Sequence, residues 1–168
     1  MQVDTLDVRP LPGVAFKHYT ARDVVSRWDA VPAYGRATAK TASAFLDSPM
    51  ARMPFRVKAI QVDGGSEFQA EFEQACAAQG IRLFAEGAAS LPKLNAHVER
   101  AHRTHAEDFN DLYEGDLDLP RINRALHHWE RVYNTIRPHR SLDKRTPAEY
   151  LHLRYPWAAP KTRPSHMS

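Results

Sequence analysis

The sequence predicts an α/β fold in which a mixed sheet of about five strands is flanked by helices, with further helices at the C-terminal end. Three observations predict it. Short alternating or apolar segments fill the first half of the chain, segments with a helical apolar period separate or follow them, and turn residues mark their boundaries. The order is three strands, helix, strand, helix, strand and then helices, which favours antiparallel strands first and crossover connections afterwards.

The predicted strands are short and end at turn residues. The first two alternate on either side of a Pro-Leu-Pro-Gly turn, and Pro32 makes the third an edge strand or ends it early. The fourth stops at a Gly-Gly pair. The five predicted strands are residues 2–9, 14–21, 24–34, 56–63 and 81–85.

The predicted helices carry apolar residues at three- to four-residue steps, most regularly in the segment 121–136. Ser66 is a plausible N-cap for the second helix. Thr146 and Glu149 form a capping box around a Pro at the first helical position, which predicts a last short helix. The predicted helices are residues 37–46, 67–79, 95–113 and 121–136, with a short one from residue 147. We therefore predict one domain over residues 1–152 and a disordered tail over residues 153–168.

The composition excludes several classes of protein. Apolar residues make up 43% of the 168 residues, which is enough for a packed core. The net charge of +3 permits a nucleic-acid partner but does not require one. The single cysteine excludes an intramolecular disulfide framework and a Cys-rich zinc module. Because the sequence shows neither a membrane-length apolar run nor a signal peptide, we expect a cytoplasmic protein with no membrane partner.

Three acidic residues lie at the ends of predicted elements. Asp4 is in the first strand, Asp63 closes the fourth, and Glu99 lies early in the helix after the last strand. Carboxylates that converge repel one another and ionise together only around bound cations, for which oxygen ligands select Mg²⁺ or Mn²⁺. An isolated acidic residue is most often solvated at the surface, so the positions alone do not identify a site.

Four motifs surround or follow these residues. They are QVDT around Asp4, QVDGGSEF at residues 61–68, LPKLNAHVERAHRT at residues 91–104 and YNTIRPHRSL…TPAEYL at residues 133–151. Together they resemble the catalytic cores of DDE transposases and retroviral-type integrases, especially bacterial insertion-sequence transposases. That family carries the similar motifs D-N-G-S-E-F and S-P-x-x-N-G-x-V-E-R and a similar closing signature. The resemblance covers roughly residues 1–152.

The resemblance implies an RNase H-like fold and a D,D-35-E site. Asp4, Asp63 and Glu99 would be its catalytic residues and the ligands of two Mg²⁺ or Mn²⁺ ions. Members of the family hydrolyse a phosphodiester at the end of a mobile element and join the freed 3′-hydroxyl to target DNA. The implied function is therefore divalent-metal-dependent phosphodiester hydrolysis and DNA strand transfer, in DNA integration or transposition. Element ends and target DNA are the implied partners, and analogy suggests a homo-oligomer on DNA, at the nucleoid of a bacterial cell.

Residues near Glu99 and after the long amphipathic helix are candidates for DNA contacts. The first group could contact phosphates beside the site, and the second could bind the DNA backbone or dock the last helix. These candidates are Lys93, Asn95, Arg100, Arg103, Arg137 and Arg140. Glu67 is interpreted as an acid that stabilises a helix N-terminus, and His102 and His105 as packing or surface residues.

Several residues depart from the family pattern. Gly64 replaces a common Asn, Ala96 replaces a Gly that would be needed if φ were positive, and the segment 86–90 is less basic than usual. Arg22 lies in a strand near the core, where burial without a partner would cost several kcal/mol. Only three residues precede Asp4, whereas transposases of this family usually carry N-terminal modules that read the element ends.

These departures favour an alternative function. It is a catalytically degenerate, truncated transposase remnant that binds DNA or a full-length transposase without turnover. Two further alternatives are a general nuclease of the same fold, such as an RNA–DNA hybrid hydrolase, and a soluble domain with no site. The VER and RPH…TPAEYL motifs oppose the nuclease. Metal-dependent nicking of DNA would distinguish the catalytic core from the remnant.

Overall fold

The computed structural model describes residues 1–85 and 96–156, and a sheet between two layers of helices forms their framework. The strands are β1 (Gln2–Leu11), β2 (Val14–Arg22), β3 (Asp29–Ala30), β4 (Ala33–Tyr34), β5 (Ala59–Val62) and β6 (Arg82–Ala85). The helices are α1 (Ala39–Ala51), α2 (Glu71–Ala78), α3 (Ala96–His105), α4 (Leu119–Thr135) and α5 (Pro147–Arg154). In the described part of the chain no helix is long and apolar enough to cross a membrane.

The sheet is mixed, with the order β3-β2-β1-β5-β6 and with β4 also paired to β2. Strands β1 and β2 form an antiparallel hairpin, whereas β5 runs parallel to both β1 and β6. A parallel neighbour needs a crossover connection, and α1 and α2 provide the two crossovers. The predicted fold class, a mixed RNase H-like sheet flanked by helices, is confirmed.

Alternation along β2 assigns its side chains to the two faces of the sheet. Tyr19 and Ala21 pack with α1 and α2 in one apolar cluster. Phe16 packs in a second cluster with Phe109 and with Ile122 of α4. The polar residues of β2 with the same parity as Phe16 therefore face the layer formed by α3 and α4. Those residues are His18, Thr20 and Arg22, and all three are buried.

Arg22 is buried with a partner, so the cost of an unpaired core arginine does not arise. The residue is 4% exposed, and its Nε donates a 2.7 Å hydrogen bond to Asp29 Oδ1. Arg22 and Asp29 are register partners on the antiparallel strands β2 and β3. Burial alone would raise the pKa of Asp29, but the Arg22 guanidinium and a hydrogen bond from His105 hold it at about 2.

Helix α4 closes one edge of the sheet with polar side chains. The Asn134 amide accepts from the Asp29 N–H at 2.9 Å and donates to the Asp29 carbonyl at 2.7 Å. Asn123 makes the same pair of bonds with Ala33, and Glu130 accepts from the Val31 N–H. These side chains satisfy backbone groups that an additional strand would otherwise pair, so α4 prevents edge-to-edge association there.

Three predicted elements differ from the structure. The predicted strand 24–34 is two short strands, because the Asp23 carboxylate accepts from Ser26 and turns the chain before β3. The predicted helix 67–79 starts at Glu71, and residues 66–68 form a separate 3₁₀ turn without a Ser66 side-chain cap. The predicted helix 95–113 is α3 followed by one π turn.

The predicted capping box of α5 is present with both reciprocal hydrogen bonds. Helix α5 continues to Arg154, so the boundary predicted after residue 152 falls within it. Residues 157–168 of the predicted tail lie outside the described residues.

Replacing Asn134 with Ala should destabilise the fold, because it leaves the buried N–H and C=O of Asp29 without partners. We expect the free energy of unfolding, measured by urea denaturation, to fall by about 2–4 kcal/mol. The control is His128→Ala on the exposed face of α4, which should change it by less than about 0.5 kcal/mol. An equally small effect of Asn134→Ala would contradict the closure of the edge by α4.

Two stacked histidines should make stability depend on pH. His18 and His105 are fully buried with ring centroids 5.1 Å apart, and burial lowers the pKa of both below the ordinary value of 6.5. Unfolding restores the ordinary pKa, so below about pH 6.5 the unfolded chain binds more protons. The free energy of unfolding should therefore fall as the pH decreases, by up to about 1.4 kcal/mol per pH unit for each histidine.

The variant His18→Phe should reduce that slope, because Phe can stack on His105 without a titrating group. His127→Phe on the exposed face of α4 is the matched control and should keep the wild-type slope. Equal slopes for all three proteins, from denaturation between about pH 7 and pH 5, would rule out His18 as a source of acid sensitivity.

Candidate active site

Asp4 and Asp63 lie side by side on neighbouring parallel strands. The register pairs Gln2 of β1 with Gln61 of β5, and two further residues along each strand reach Asp4 and Asp63. Asp63 follows the last residue of β5, so it lies where the strand opens into a turn. The Gly65 N–H donates a 3.0 Å hydrogen bond to Asp63 Oδ1 and fixes that carboxylate at the end of the strand.

Helix α3 brings Glu99 and His102 to the same face of the sheet as Asp4. The two residues are three positions apart and therefore share one side of the helix. His102 Nδ1 lies 3.7 Å from Asp4 Oδ2, and the His102 side chain is 13% exposed. Burial, with added repulsion from His105 and Arg22, lowers the pKa of His102 to about 4, so the imidazole is neutral near pH 7. Glu99 is exposed.

A fourth carboxylate, that of Glu67, joins this group. The Thr5 hydroxyl donates a 2.9 Å hydrogen bond to Glu67 Oε1. A Cβ placed on Gly65 would lie 2.7 Å from Glu67 Oε2 and 3.2 Å from Asp63 Oδ1. The interpretation of Glu67 as a helix-dipole residue is wrong, because α2 begins four residues later and the Glu67 carboxylate turns back towards β1.

The electrostatics of Asp4 show that these carboxylates converge. Its pKa is raised to about 6, mainly by burial and also by the charges of Asp63, Glu67 and Glu99, against a hydrogen bond from the Thr5 N–H. Like charges raise a carboxyl pKa only when they lie close to it. Asp63 and Glu99 therefore lie near enough to Asp4 for their charges to raise its pKa, as does Glu67, which sequence reasoning set aside.

The residues fit a hard divalent cation in their chemistry. The donors are carboxylate oxygens, which Mg²⁺ and Mn²⁺ prefer, and Gly65 leaves open the space between Asp63 and Glu67 that a side chain would fill. Among residues 1–85 and 96–156 no three Asp, Glu, His or Cys side chains are arranged to hold one metal ion. The cation and the number of ions therefore remain predictions.

The candidate DNA-contacting residues fall into three groups. Arg100 and Arg103 are exposed on α3, and Arg140 is exposed after α4. Arg137 forms an ion pair with Asp108, and its guanidinium lies 5.8 Å from the Tyr133 ring centroid. Lys93 and Asn95 lie outside the described residues.

Arg27 is a partly buried basic residue that the sequence did not indicate. Burial lowers its pKa, and the positive charges of Arg22 and Arg100 lower it further. Arg27 also has positive φ, 63°, in the turn before β3. No pattern in the sequence places this turn beside α3, because the two segments are far apart along the chain.

Two departures from the family pattern are compatible with the backbone. Gly64 has φ of 83°, a conformation open to Gly and also to the Asn that the family often has there. Ala96 is the first residue of α3, a helical position that Ala favours and where no positive φ is required. The segment 86–90 lies outside the described residues.

Comparisons with known proteins agree with this fold. Residues 81–147 match the family model of the integrase core domain, a range that contains Glu99 but not Asp4 or Asp63. No curated protein matches the chain.

Several solved integrase structures have a similar fold. The catalytic core of BIV integrase is 20% identical, with a TM-score of 0.68 over 93% of this chain and 97% of that one. A chain of the simian T-cell lymphotropic virus intasome, in complex with PP2A regulatory subunit B56 gamma, is 18% identical, with a TM-score of 0.70. That match covers 99% of this chain but only 59% of the viral chain. The HTLV-2 integrase catalytic core with magnesium, in a trimeric form, is 17% identical over 89% of this chain and 94% of that one, with a TM-score of 0.63.

The sheet order, the helical layers and these similarities define an RNase H-like core of the integrase type. The match of residues 81–147 to the integrase core domain, together with this fold, supports the resemblance to DDE integrase and transposase cores that the sequence predicts.

Adding a methyl group at Gly65 should disturb the carboxylates without straining the backbone. Gly65 has φ of −53° and ψ of 146°, which any residue can adopt, but its new Cβ would press on Glu67 and Asp63. We expect Gly65→Ala to weaken Mn²⁺ binding several-fold in calorimetric titration while the unfolding temperature changes little. Gly64→Ala should leave Mn²⁺ binding nearly unchanged. It should lower the free energy of unfolding by about 1–2 kcal/mol, because Ala is strained at positive φ. Unchanged Mn²⁺ affinity in Gly65→Ala would count against a cation between these carboxylates.

Proposed function

We propose that this chain is the catalytic core of a transposase or integrase that hydrolyses phosphodiester bonds and transfers DNA strands with divalent metal ions. The observation that carries the proposal is that Asp4 and Asp63 lie on neighbouring parallel strands of an integrase-type fold, where burial raises the pKa of Asp4 to about 6 and the charges of Asp63, Glu67 and Glu99 add to the increase. Such a concentration of like charge is typical of sites that bind cations or that need a perturbed carboxyl group.

In this proposal Asp4, Asp63 and Glu99 hold two Mg²⁺ or Mn²⁺ ions. When bound, the ions would activate water or a 3′-hydroxyl and stabilise charge on the leaving oxygen. The HTLV-2 integrase core, which has a similar fold, has been solved with magnesium. Two carboxylates come from strands and one from a helix, so the site depends on how α3 packs on the sheet.

Other residues would orient these ligands. The Thr5 N–H donates to Asp4 Oδ1 at 2.7 Å, and the Gly65 N–H donates to Asp63 Oδ1, so each strand carboxylate has one oxygen fixed by the backbone. The neutral His102 ring lies against the second oxygen of Asp4 and limits its rotation. Glu67 adds negative charge beside Asp63 and strengthens the attraction for a cation.

DNA would reach the site along the exposed arginines. Arg100 follows Glu99 directly on α3 and is exposed, and its charge contributes to lowering the pKa of Arg27. Guanidinium groups suit phosphate oxygens, which fix the position of DNA without reading its sequence. A homo-oligomer on DNA is part of the proposal, since the similar viral chains are described in an intasome and in dimeric and trimeric forms.

The second candidate is the degenerate remnant, which would bind DNA or a full-length transposase without turnover. Part of its basis is weaker than the sequence indicated. Arg22 has a buried partner in Asp29, and Gly64 occupies a backbone conformation that suits it. The proposal of an active core is therefore the better supported of the two.

The test is metal-dependent nicking of supercoiled plasmid DNA in Mg²⁺ or Mn²⁺. We expect activity in the wild type, and a fall of more than about 100-fold in Asp63→Asn and in Glu99→Gln, because each removes a ligand charge. Glu71→Gln, an exposed acid in the first turn of α2, is the matched control and should retain activity. Binding of DNA by a folded wild-type chain that never nicks it would favour the remnant.

A further inference from the structure

The loop that follows α4 has an unusually constrained backbone. We call residues 137–146 the basic loop. The Arg145 N–H donates to the Leu142 carbonyl at 3.1 Å, and the Lys144 N–H donates to the His139 carbonyl at 2.9 Å. These bonds fix a tight turn with Asp143 and Lys144 at its tip, and Leu142, the residue before the tip, is buried.

Both residues at the tip have left-handed backbone conformations. Asp143 has φ of 54° and ψ of 44°, and Lys144 has φ of 63°. Two successive left-handed residues closed by this hydrogen bond are typical of a type I′ turn, which favours Asn-Gly. Asp tolerates the left-handed region, but for Lys it is strained, and Gly would be more stable at position 144.

The charges of the basic loop are only partly neutralised. Arg137 is paired with Asp108, and Arg145 Nη1 lies 3.4 Å from Asp143 Oδ2. Arg140 and Lys144 are exposed and have no acidic partner within the described ranges 1–85 and 96–156. Among residues 1–85 and 96–156, the turn thus holds Lys144 in a strained conformation without an ion-pair partner for its ammonium group.

The loop is connected to the active-site layer by aromatic packing. The His139 and Tyr133 rings are 4.4 Å apart, and Tyr133 also packs near His105 of α3, with ring centroids 6.5 Å apart. Arg22 lies 5.5 Å from the same Tyr133 ring. A chain of packed side chains therefore runs from the basic loop to the helix that carries Glu99.

We propose that Lys144 contacts a DNA phosphate and that this contact is the reason for a lysine at the strained tip of the basic loop. The inference rests on the proposed DNA function and extends it to a residue outside the carboxylate site. Strained backbone in an otherwise ordered structure commonly marks a functional position. An ammonium group binds phosphate as a point charge, so the contact needs a fixed position more than a fixed orientation.

If Lys144 contacts a phosphate, its contribution to DNA affinity should depend on the salt concentration and not on the DNA sequence. Each phosphate that a lysine neutralises releases condensed counterions, so removing the lysine lowers the slope of log affinity against log salt by about 1. It should weaken binding to all DNA sequences alike, because phosphates carry no base information.

The test compares three variants that separate strain from charge. Lys144→Gly removes both the strain and the ammonium group. Asp143→Gly also relieves a left-handed residue but removes a negative charge, and Lys144→Arg keeps the positive charge. Thermal unfolding gives stability, and fluorescence anisotropy with two labelled duplexes of unrelated sequence gives affinity over a range of salt concentrations.

We expect Lys144→Gly to raise the unfolding temperature by about 2–4 °C and yet to bind both duplexes several-fold more weakly, with the salt slope reduced by about 1. Asp143→Gly should be no less stable and should bind as well as wild type or better. Lys144→Arg should retain the wild-type salt slope.

Three results would overturn the inference. Wild-type DNA affinity in Lys144→Gly would rule out the Lys144–phosphate contact while leaving the proposed DNA function intact. So would weaker binding with an unchanged salt slope, because the effect would then be indirect. Failure of the wild-type chain to bind either duplex at low salt would overturn the inference together with the proposed DNA function.

Discussion

The buried carboxylate of Asp29 is the interaction on which the arrangement of the other elements depends. It accepts from Arg22 on β2, its Oδ2 lies 3.0 Å from His105 Nε2 on α3, and Asn134 of α4 pairs with its backbone. Asp29, through its carboxylate and its backbone, thus connects a sheet edge with two helices that are distant in sequence. Loss of Arg22 would leave the carboxylate charge uncompensated, which commonly costs about 3–5 kcal/mol.

This connection also determines the position of the candidate site. Helix α3 carries His105 in the buried network and, less than two turns earlier, Glu99 near the strand carboxylates. The network is satisfied internally, whereas burial and the charges of Asp63, Glu67 and Glu99 raise the pKa of Asp4. The buried ion pair of Arg22 and Asp29 lies near the His105 end of α3, and the acidic side chains lie near its Glu99 end. That separation allows a charged site to exist without loosening the helix that completes it.

Much of the fold could be predicted because it follows from periodicity and turn residues. The amphipathic pattern of α4 and the capping box of α5 are local signals, and both elements occur as predicted. Asp4, Asp63 and Glu99 were indicated by the motifs that surround them, and their roles stay predictions. Glu67 could not, since its role depends on a 3₁₀ turn that directs it towards Thr5. Arg27 and the Arg22–Asp29 pair were missed because they depend on contacts between segments that are distant in sequence or in different strands.

Departures from a family motif must be judged against the backbone that holds them. Gly in place of Asn at position 64 removes a side chain. However, the backbone there has φ of 83°, and Gly is one of the few residues that adopt this conformation without strain. Arg22 looks like a charge in the core until the register of β2 and β3 provides its partner. Neither Gly64 nor Arg22 therefore supports the catalytically degenerate alternative. The acidic residues around Asp4 are the better evidence about activity. Burial and three nearby acidic charges all disfavour the ionised form of Asp4, and a bound cation is the group that would offset them.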